Sequence, residues 1–167
     1  VRLLFLNCPA LSASARAGQF VMVRCGEGYD PYLRRALPIH RFTPQGIALC
    51  FRSSGPALAW LGARPLGSAL DILGPCGRGF DLPIKAGSIS LVAQGPGIVS
   101  LLAILDRTAA PVRLITEVPT LSQVYPRELL PHQVEYTPFV GHEQRVAFWQ
   151  AVELACRWAE RVYAVGA

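Results

Sequence analysis

At 167 residues, 51% of them hydrophobic and only 16% charged, the chain has the composition of a compact globular protein, not a disordered one. Its net charge of +5 comes from scattered arginines with no lysine-rich run, which argues against a nucleic-acid binder and suits an anionic dinucleotide or an acidic protein partner. No stretch reaches the roughly 18 uninterrupted apolar residues of a membrane span and no secretory signal opens the chain. A cytoplasmic location away from the membrane is therefore expected, and the Val1 start reads as a trimmed N-terminus.

Strands dominate the first half. Residues 1–6 are apolar, 19–25 form a β-branched run, and 34–42 with 46–52 read as a hairpin around Thr43-Pro44-Gln45-Gly46. A short helical turn is expected over 56–61 and a further strand over 69–73. Closely spaced strands with Gly and Pro between them predict a closed or nearly closed antiparallel β-barrel over 1–80. The segment Leu73-Gly74-Pro75-Cys76-Gly77-Arg78-Gly79-Phe80 reads as a glycine-rich turn leaving it, and 81–87 as a polar connection.

From residue 88 strands and helices alternate. Strands are expected over 88–93, 112–118, 134–137 and 161–165, and helices over 97–107, 121–130 and 143–159. That alternation predicts a doubly wound parallel α/β domain over 88–167, with helices on both faces of the sheet. The chain stops at the end of a strand, where such a domain carries its ligand crevice, so it reads as truncated.

Three features suggest chemistry. Val92-Ala93-Gln94-Gly95-Pro96-Gly97-Ile98 runs from strand through glycine turn into an apolar helix, the layout that sets backbone N–H groups against a phosphate. Arg34 and Arg35 are adjacent on a strand and face opposite sides, so one can meet a ligand while the other makes a surface ion pair. The turn Ser53-Ser54-Gly55-Pro56-Ala57 offers backbone donors for the same ligand phosphate. Two anion sites on successive domains describe a flavin on one and a nicotinamide nucleotide on the other. The five cysteines lack metal-ligand spacing and read as buried thiols, with Cys76 the one near a ligand. His40, His132 and His142 form no catalytic set, and neither a catalytic residue nor a metal site is expected.

On the stretches Leu33-Arg34-Arg35-Ala36-Leu37-Pro38-Ile39-His40-Arg41 and Leu73-Gly74-Pro75-Cys76-Gly77-Arg78-Gly79-Phe80, the chain resembles the ferredoxin–NADP reductase superfamily. More closely it resembles the electron-transfer subunits of dihydroorotate dehydrogenases. The resemblance implies FAD on the barrel: Arg35 at the pyrophosphate, Leu37, Pro38 and Ile39 along the isoalloxazine, Phe51 and Arg52 flanking it, and Gly55, Ala57 and Leu58 in the phosphate turn. It implies that Gly95, Gly97 and Ile98 form the NAD(P)H turn, and that a catalytic dehydrogenase subunit is the partner. Hydride passes from NAD(P)H to FAD in such proteins, and single electrons then leave through a [2Fe–2S] cluster, which this chain would carry only if it continues past Ala167.

The chain departs from the family pattern at defined points. Arg35-Ala36-Leu37-Pro38 stands where the family has Arg-Pro-Leu-Ser, and Gly55-Pro56-Ala57-Leu58 replaces Gly-x-Gly-Thr. Val165-Gly166-Ala167 replaces Cys-Gly-Pro at the terminal strand. Pro38, Pro56 and Pro96 each remove a backbone donor. The expectation is a flavin-dependent electron-transfer module that holds its cofactors weakly. The alternative is a non-catalytic paralogue acting as a structural or interaction module.

Overall fold

The computed structural model describes residues 1–28, 33–83 and 87–166. The chain divides into two compact units, Val1–Phe80 and Asp81–Ala167.

The first unit is built on β1 (Arg2–Asn7), β2 (Phe20–Val23), β3 (Arg35–Thr43), β4 (Gly46–Phe51) and β5 (Ile72–Cys76), with helices α1 (Pro9–Ser14) and α2 (Gly55–Gly62). The strands pair antiparallel in the order β1-β4-β3-β2-β5, and β3 belongs to both ladders. Pairing is irregular between Ile39 and Arg41 and between Phe20 and Met22, and such bulges twist and bend a sheet toward the barrel form. No ladder joins β1 to β5 among the described residues, so hydrogen bonding leaves the barrel open there. Val21, Val23, Ile39, Ile47 and Leu49 have no exposed surface and form its core.

Two expectations need correction here. The fifth strand is Ile72–Cys76, not 69–73, because its register is set by β2, where Phe20 stands opposite Cys76 and Val23 opposite Ile72. The glycine-rich segment therefore begins as a strand and turns only at Gly77 and Gly79, both at positive φ. Helix α1 was not expected; Pro9 opens it and the Ser12 hydroxyl donates to the Thr43 carbonyl at 2.8 Å.

The second unit holds β6 (Ile89–Gln94), β7 (Val112–Val118), β8 (Val134–Val140) and β9 (Arg161–Val165), all parallel, in the order β8-β7-β6-β9. The crossovers β6→β7→β8 step one way and β8→β9 steps back across the sheet. Right-handed connections then put α3 (Ile98–Leu101) and α4 (Arg145–Trp158) on opposite faces, the doubly wound arrangement expected. Phe148 and Ala155 of α4 pack on Val92 and Ile115, while Leu101, Leu102 and Ile104 are wholly buried.

The helices of this unit are shorter than expected. Only Ile98–Leu101 of 97–107 is α-helical, flanked by 3-10 turns at Gly95–Gly97 and Leu102–Asp106. Residues 121–130 hold two 3-10 turns, Leu121–Gln123 and Arg127–Leu129, separated where Pro126 denies the N–H and forces extended backbone. Strand β8 runs three residues beyond 137, paired with β7 as far as Val140. No described helix is long and apolar enough to cross a membrane.

Candidate functional site

In an open parallel sheet, ligands bind outside the carboxyl ends of the strands, at the point where strand order reverses. Here that point is β6, flanked by β7 and β9. The chain leaves β6 through Gly95, at φ +54°, and Gly97 passes tightly against β9. A Cβ on Gly97 would stand 2.7 Å from the Val165 carbonyl oxygen, so only glycine lets the turn run that close. The start of a helix leaves N–H groups without helical partners, and Pro96 supplies none of its own. Ile98 is buried, so its side chain anchors the turn from beneath.

Beside this turn lies a cleft of about 300 Å³ lined by Gln94, Gly95, Glu117, Val118, Pro119, Gly141, His142 and Arg145. It collects the ends of β6, β7 and β8 and the head of α4. Glu117 is only 7% exposed. Its carboxylate accepts from Gln94 Nε2 at 2.5 Å on Oε2 and from Arg145 Nε at 3.1 Å on Oε1. The Gln94 bond, with help from Arg145, holds the Glu117 carboxyl below its ordinary value, against the opposing effect of burial.

The expected flavin residues lie in the first unit. β3 and β4 pair from Thr43 opposite Gly46 to Ile39 opposite Leu49, so both strands run on to one end of the sheet. That end carries Arg35 and Leu37 on β3, Phe51 at the close of β4, and the entrance to α2. The Ser54 N–H donates to the Arg52 carbonyl at 2.8 Å and turns the chain. Gly55 follows at φ +70° with open space where a Cβ would stand. Pro56 sits in the first turn of α2, where its missing N–H costs the helix no bond, although it removes a donor that a phosphate could use.

Along β3, pairing with β2 sorts the remaining residues. Arg35 stands opposite Val23 and Leu37 opposite Val21, on the buried side with Ile39, whereas Pro38 stands opposite Phe20 on the other face. Leu37, Pro38 and Ile39 therefore do not present one common surface, and Ile39 has no exposed surface at all. Ala57 is buried, Leu58 half-buried and Arg52 exposed. The two arginines divide their work: Arg34 pairs with Asp71 at 2.7 Å, while Arg35 donates to the Leu33 carbonyl at 3.1 Å. Burial pushes the Cys25 thiol up, against the pull of the nearby Arg35 guanidinium. Cys76 lies in β5, its thiol 3.8 Å from the Leu73 carbonyl oxygen. Among the described residues no group of His, Cys, Asp and Glu is placed to hold a metal ion.

No family model matches the chain. Curated relatives do. Over 105 residues it is 38% identical to the electron transfer subunit of dihydroorotate dehydrogenase B (NAD(+)) from Desulforamulus reducens, covering 62% of this chain and 40% of that protein. The corresponding subunit of Shouchella clausii is 35% identical over 91 residues, covering 52% of this chain and 35% of the relative. The chain thus spans well under half the length of these relatives. Among solved structures, the NADH-dependent reduced ferredoxin-NADP oxidoreductase aligns with 99% of this chain and 66% of its own at a TM-score of 0.72 and 21% identity. The fold is that of the ferredoxin reductases.

A Neisseria gonorrhoeae ferredoxin NADP+ reductase solved with bound FAD and NADP has the same fold, at a TM-score of 0.64 and 20% identity over 91% of this chain and 74% of its own. The resemblance read from the arginine and glycine motifs is the one these relatives display. Within this ferredoxin-reductase fold, sequence reasoning missed Glu117, Arg145 and His142. One local signal was available for Glu117: an acidic residue near the end of the next strand, 20 residues beyond Gly97. Nothing local marks Arg145 or His142, which reach the cleft only through the β8→α4 connection.

Proposed function

We propose that this chain is a flavin-dependent electron-transfer module that takes reducing equivalents from NADH through FAD to a partner dehydrogenase. The observation that carries the reading is the glycine turn at the switch point of the parallel unit, in a chain 38% identical over 105 residues to an NAD(+)-linked electron transfer subunit. The tight passage of Gly97 past Val165 fits a nucleotide turn, because a side chain there would close the approach. The open, positive-φ entrance to α2 beside the Arg35 end of β3 fits a flavin pyrophosphate in the first unit.

Bound FAD supplies the redox chemistry, accepting two electrons together and releasing them one at a time. The chain's own residues bind and orient. In this reading Arg35 sets a bidentate cation against the pyrophosphate, the N–H groups at the start of α2 add neutral donors, and Leu37 and Phe51 give an apolar wall. Gly95 and Gly97 bring backbone against the second dinucleotide. The partner is a dehydrogenase subunit of the kind that the relatives' names imply.

The test is titration of the 167-residue chain with FAD and NADH, followed by flavin fluorescence and calorimetry. The expected result is saturable binding of both, with absorbance near ~450 nm lost when NADH is added anaerobically to the flavin-loaded chain. Absence of binding by both cofactors overturns the reading.

A further inference from the structure

We propose that Tyr163 and Glu160 clamp both ends of the linker 81–87 onto the second unit. The Phe80–Asp81 junction is thereby left as the pivot of the chain between the units, and Tyr163 is a positioning residue for transfer between cofactors held on the two. The positioning role rests on the electron-transfer reading given above, whereas the clamp stands apart from it.

The first unit holds the chain as far as Phe80. The Gln19 side chain accepts from the Arg16 N–H at 2.7 Å and donates through Nε2 to the Gly77 carbonyl at 2.7 Å. The Phe80 N–H then donates to the Ala17 carbonyl at 2.7 Å. Its ring lies against Gly18, at φ +83°, where a Cβ would stand 2.6 Å from it. Only glycine admits the ring there.

The second unit takes hold at the next residue. The Tyr163 hydroxyl donates to the Asp81 carbonyl at 2.6 Å. Burial raises the Tyr163 phenol above its ordinary value of 10.0, so the donor keeps its proton at neutral pH. At the far end the Gly87 N–H donates to Glu160 Oε2 at 2.7 Å, and the N–H groups of Glu160 and Arg161 donate to the Ser88 carbonyl at 3.1 and 3.2 Å. Leu82 and Pro83 are half-buried, and Pro83 fixes its own φ. Between the anchored Phe80 N–H and the anchored Asp81 carbonyl lie only the soft dihedrals of these two residues. Rotation between the units passes through them. Hydride transfer needs donor and acceptor within about 3–3.5 Å, so a loosened clamp degrades it without touching either cofactor's own contacts.

Lys85 is the chain's only lysine, so a lysine-specific protease cuts the intact 167-residue chain at one bond and reads the opening of the linker. Tyr163→Phe removes the hydroxyl and keeps the ring, and should raise the cleavage rate about three- to tenfold. Glu160→Ala removes an ionised acceptor and should raise it about tenfold or more. Urea midpoints should stay as in wild type, which separates local opening from global unfolding. Cleavage no faster in either variant, or faster only in step with a lowered midpoint, overturns the clamp. On the flavin-loaded chain, saturating NADH should reduce the flavin of Tyr163→Phe at least about threefold more slowly, with half-saturation and FAD affinity unchanged. An unchanged limiting rate overturns the positioning role. If neither cofactor binds, the electron-transfer reading and the positioning role fall together, and the protease decides the clamp by itself.

Discussion

The side-chain amide of Gln94 donates to the carboxylate of Glu117 over 2.5 Å, bridging the ends of two neighbouring parallel strands. Arg145, at the head of α4, holds the other oxygen at 3.1 Å. This small network sits where the sheet meets its cleft, and it fixes the charge that any ligand there must face. Hydrogen bonds to a charged acceptor are stronger than neutral ones, and a nearly buried carboxylate left without them is costly.

That arrangement has a pH signature. The folded-state pKa of Glu117 lies below its ordinary value of 4.5, with the Gln94 hydrogen bond as the main cause. A depressed carboxylate contributes stability that is fully present above 4.5 and is lost as pH falls through the folded value. Wild-type protein should therefore lose stability on acidification below 4.5 more steeply than Glu117→Gln. Urea midpoints measured from neutral pH down to the acid limit of folding check this, and parallel curves for the two proteins would contradict it.

Arg34 and Arg35 should differ in consequence. Arg34 is committed to Asp71 at the surface, with Asp71 exposed and Arg34 half-buried, so Arg34→Ala should leave flavin binding nearly intact. Arg35→Ala should abolish flavin retention, because it removes a guanidinium able to pair two phosphate oxygens at once. Fluorescence titration of FAD against both variants decides it, and equal effects would show the assignment to be wrong.

Gly97→Ala probes the turn from the second unit. The added methyl would stand 2.7 Å from the Val165 carbonyl oxygen and 3.0 Å from Val165 Cγ1, so β9 or the turn must shift. A destabilisation of about 1–3 kcal/mol is expected from such overpacking, together with loss of NADH binding. Denaturant unfolding and calorimetry read the two effects separately.

Restoring the donors lost to substitution should tighten the flavin. Pro38→Ser returns a hydroxyl and an N–H beside the flavin ring, while Ala57→Gly adds no donor and returns only the family's glycine beside the α2 entrance, at a helix cost of about 1 kcal/mol. Each hydrogen bond recovered to the flavin through residue 38 is worth about 0.5–1.5 kcal/mol, roughly two- to tenfold in affinity. The wild-type chain should bind FAD at micromolar concentration or weaker and the double variant at least about twofold tighter. Sub-micromolar binding by the unaltered chain would show that the prolines do no harm.

What the sequence determined by itself was whatever depends on neighbouring residues. The runs at 112–118 and 161–165 coincide with β7 and β9 as observed, because short apolar stretches bounded by Pro, Gly and charge declare a strand locally, buried in β7 and largely exposed in β9. The turn at Gly95-Pro96-Gly97 was legible for the same reason, since glycine permissiveness is a property of the immediate chain, and of the two arginines Arg34 makes the expected surface ion pair, with Asp71, from just outside β3. Tertiary structure decided the rest. The place of β5 follows from its pairing with β2, and an isolated reading of 69–73 could not contain that register. The segment 121–130 is the exception, decided locally: Pro126 breaks the hydrogen-bond ladder that a continuous helix requires. The cleft depended on tertiary structure most of all. Gln94, Glu117 and Arg145 come from three separate elements, and only parallel register between β6 and β7, with α4 returning across the sheet, brings one carboxylate within reach of both partners.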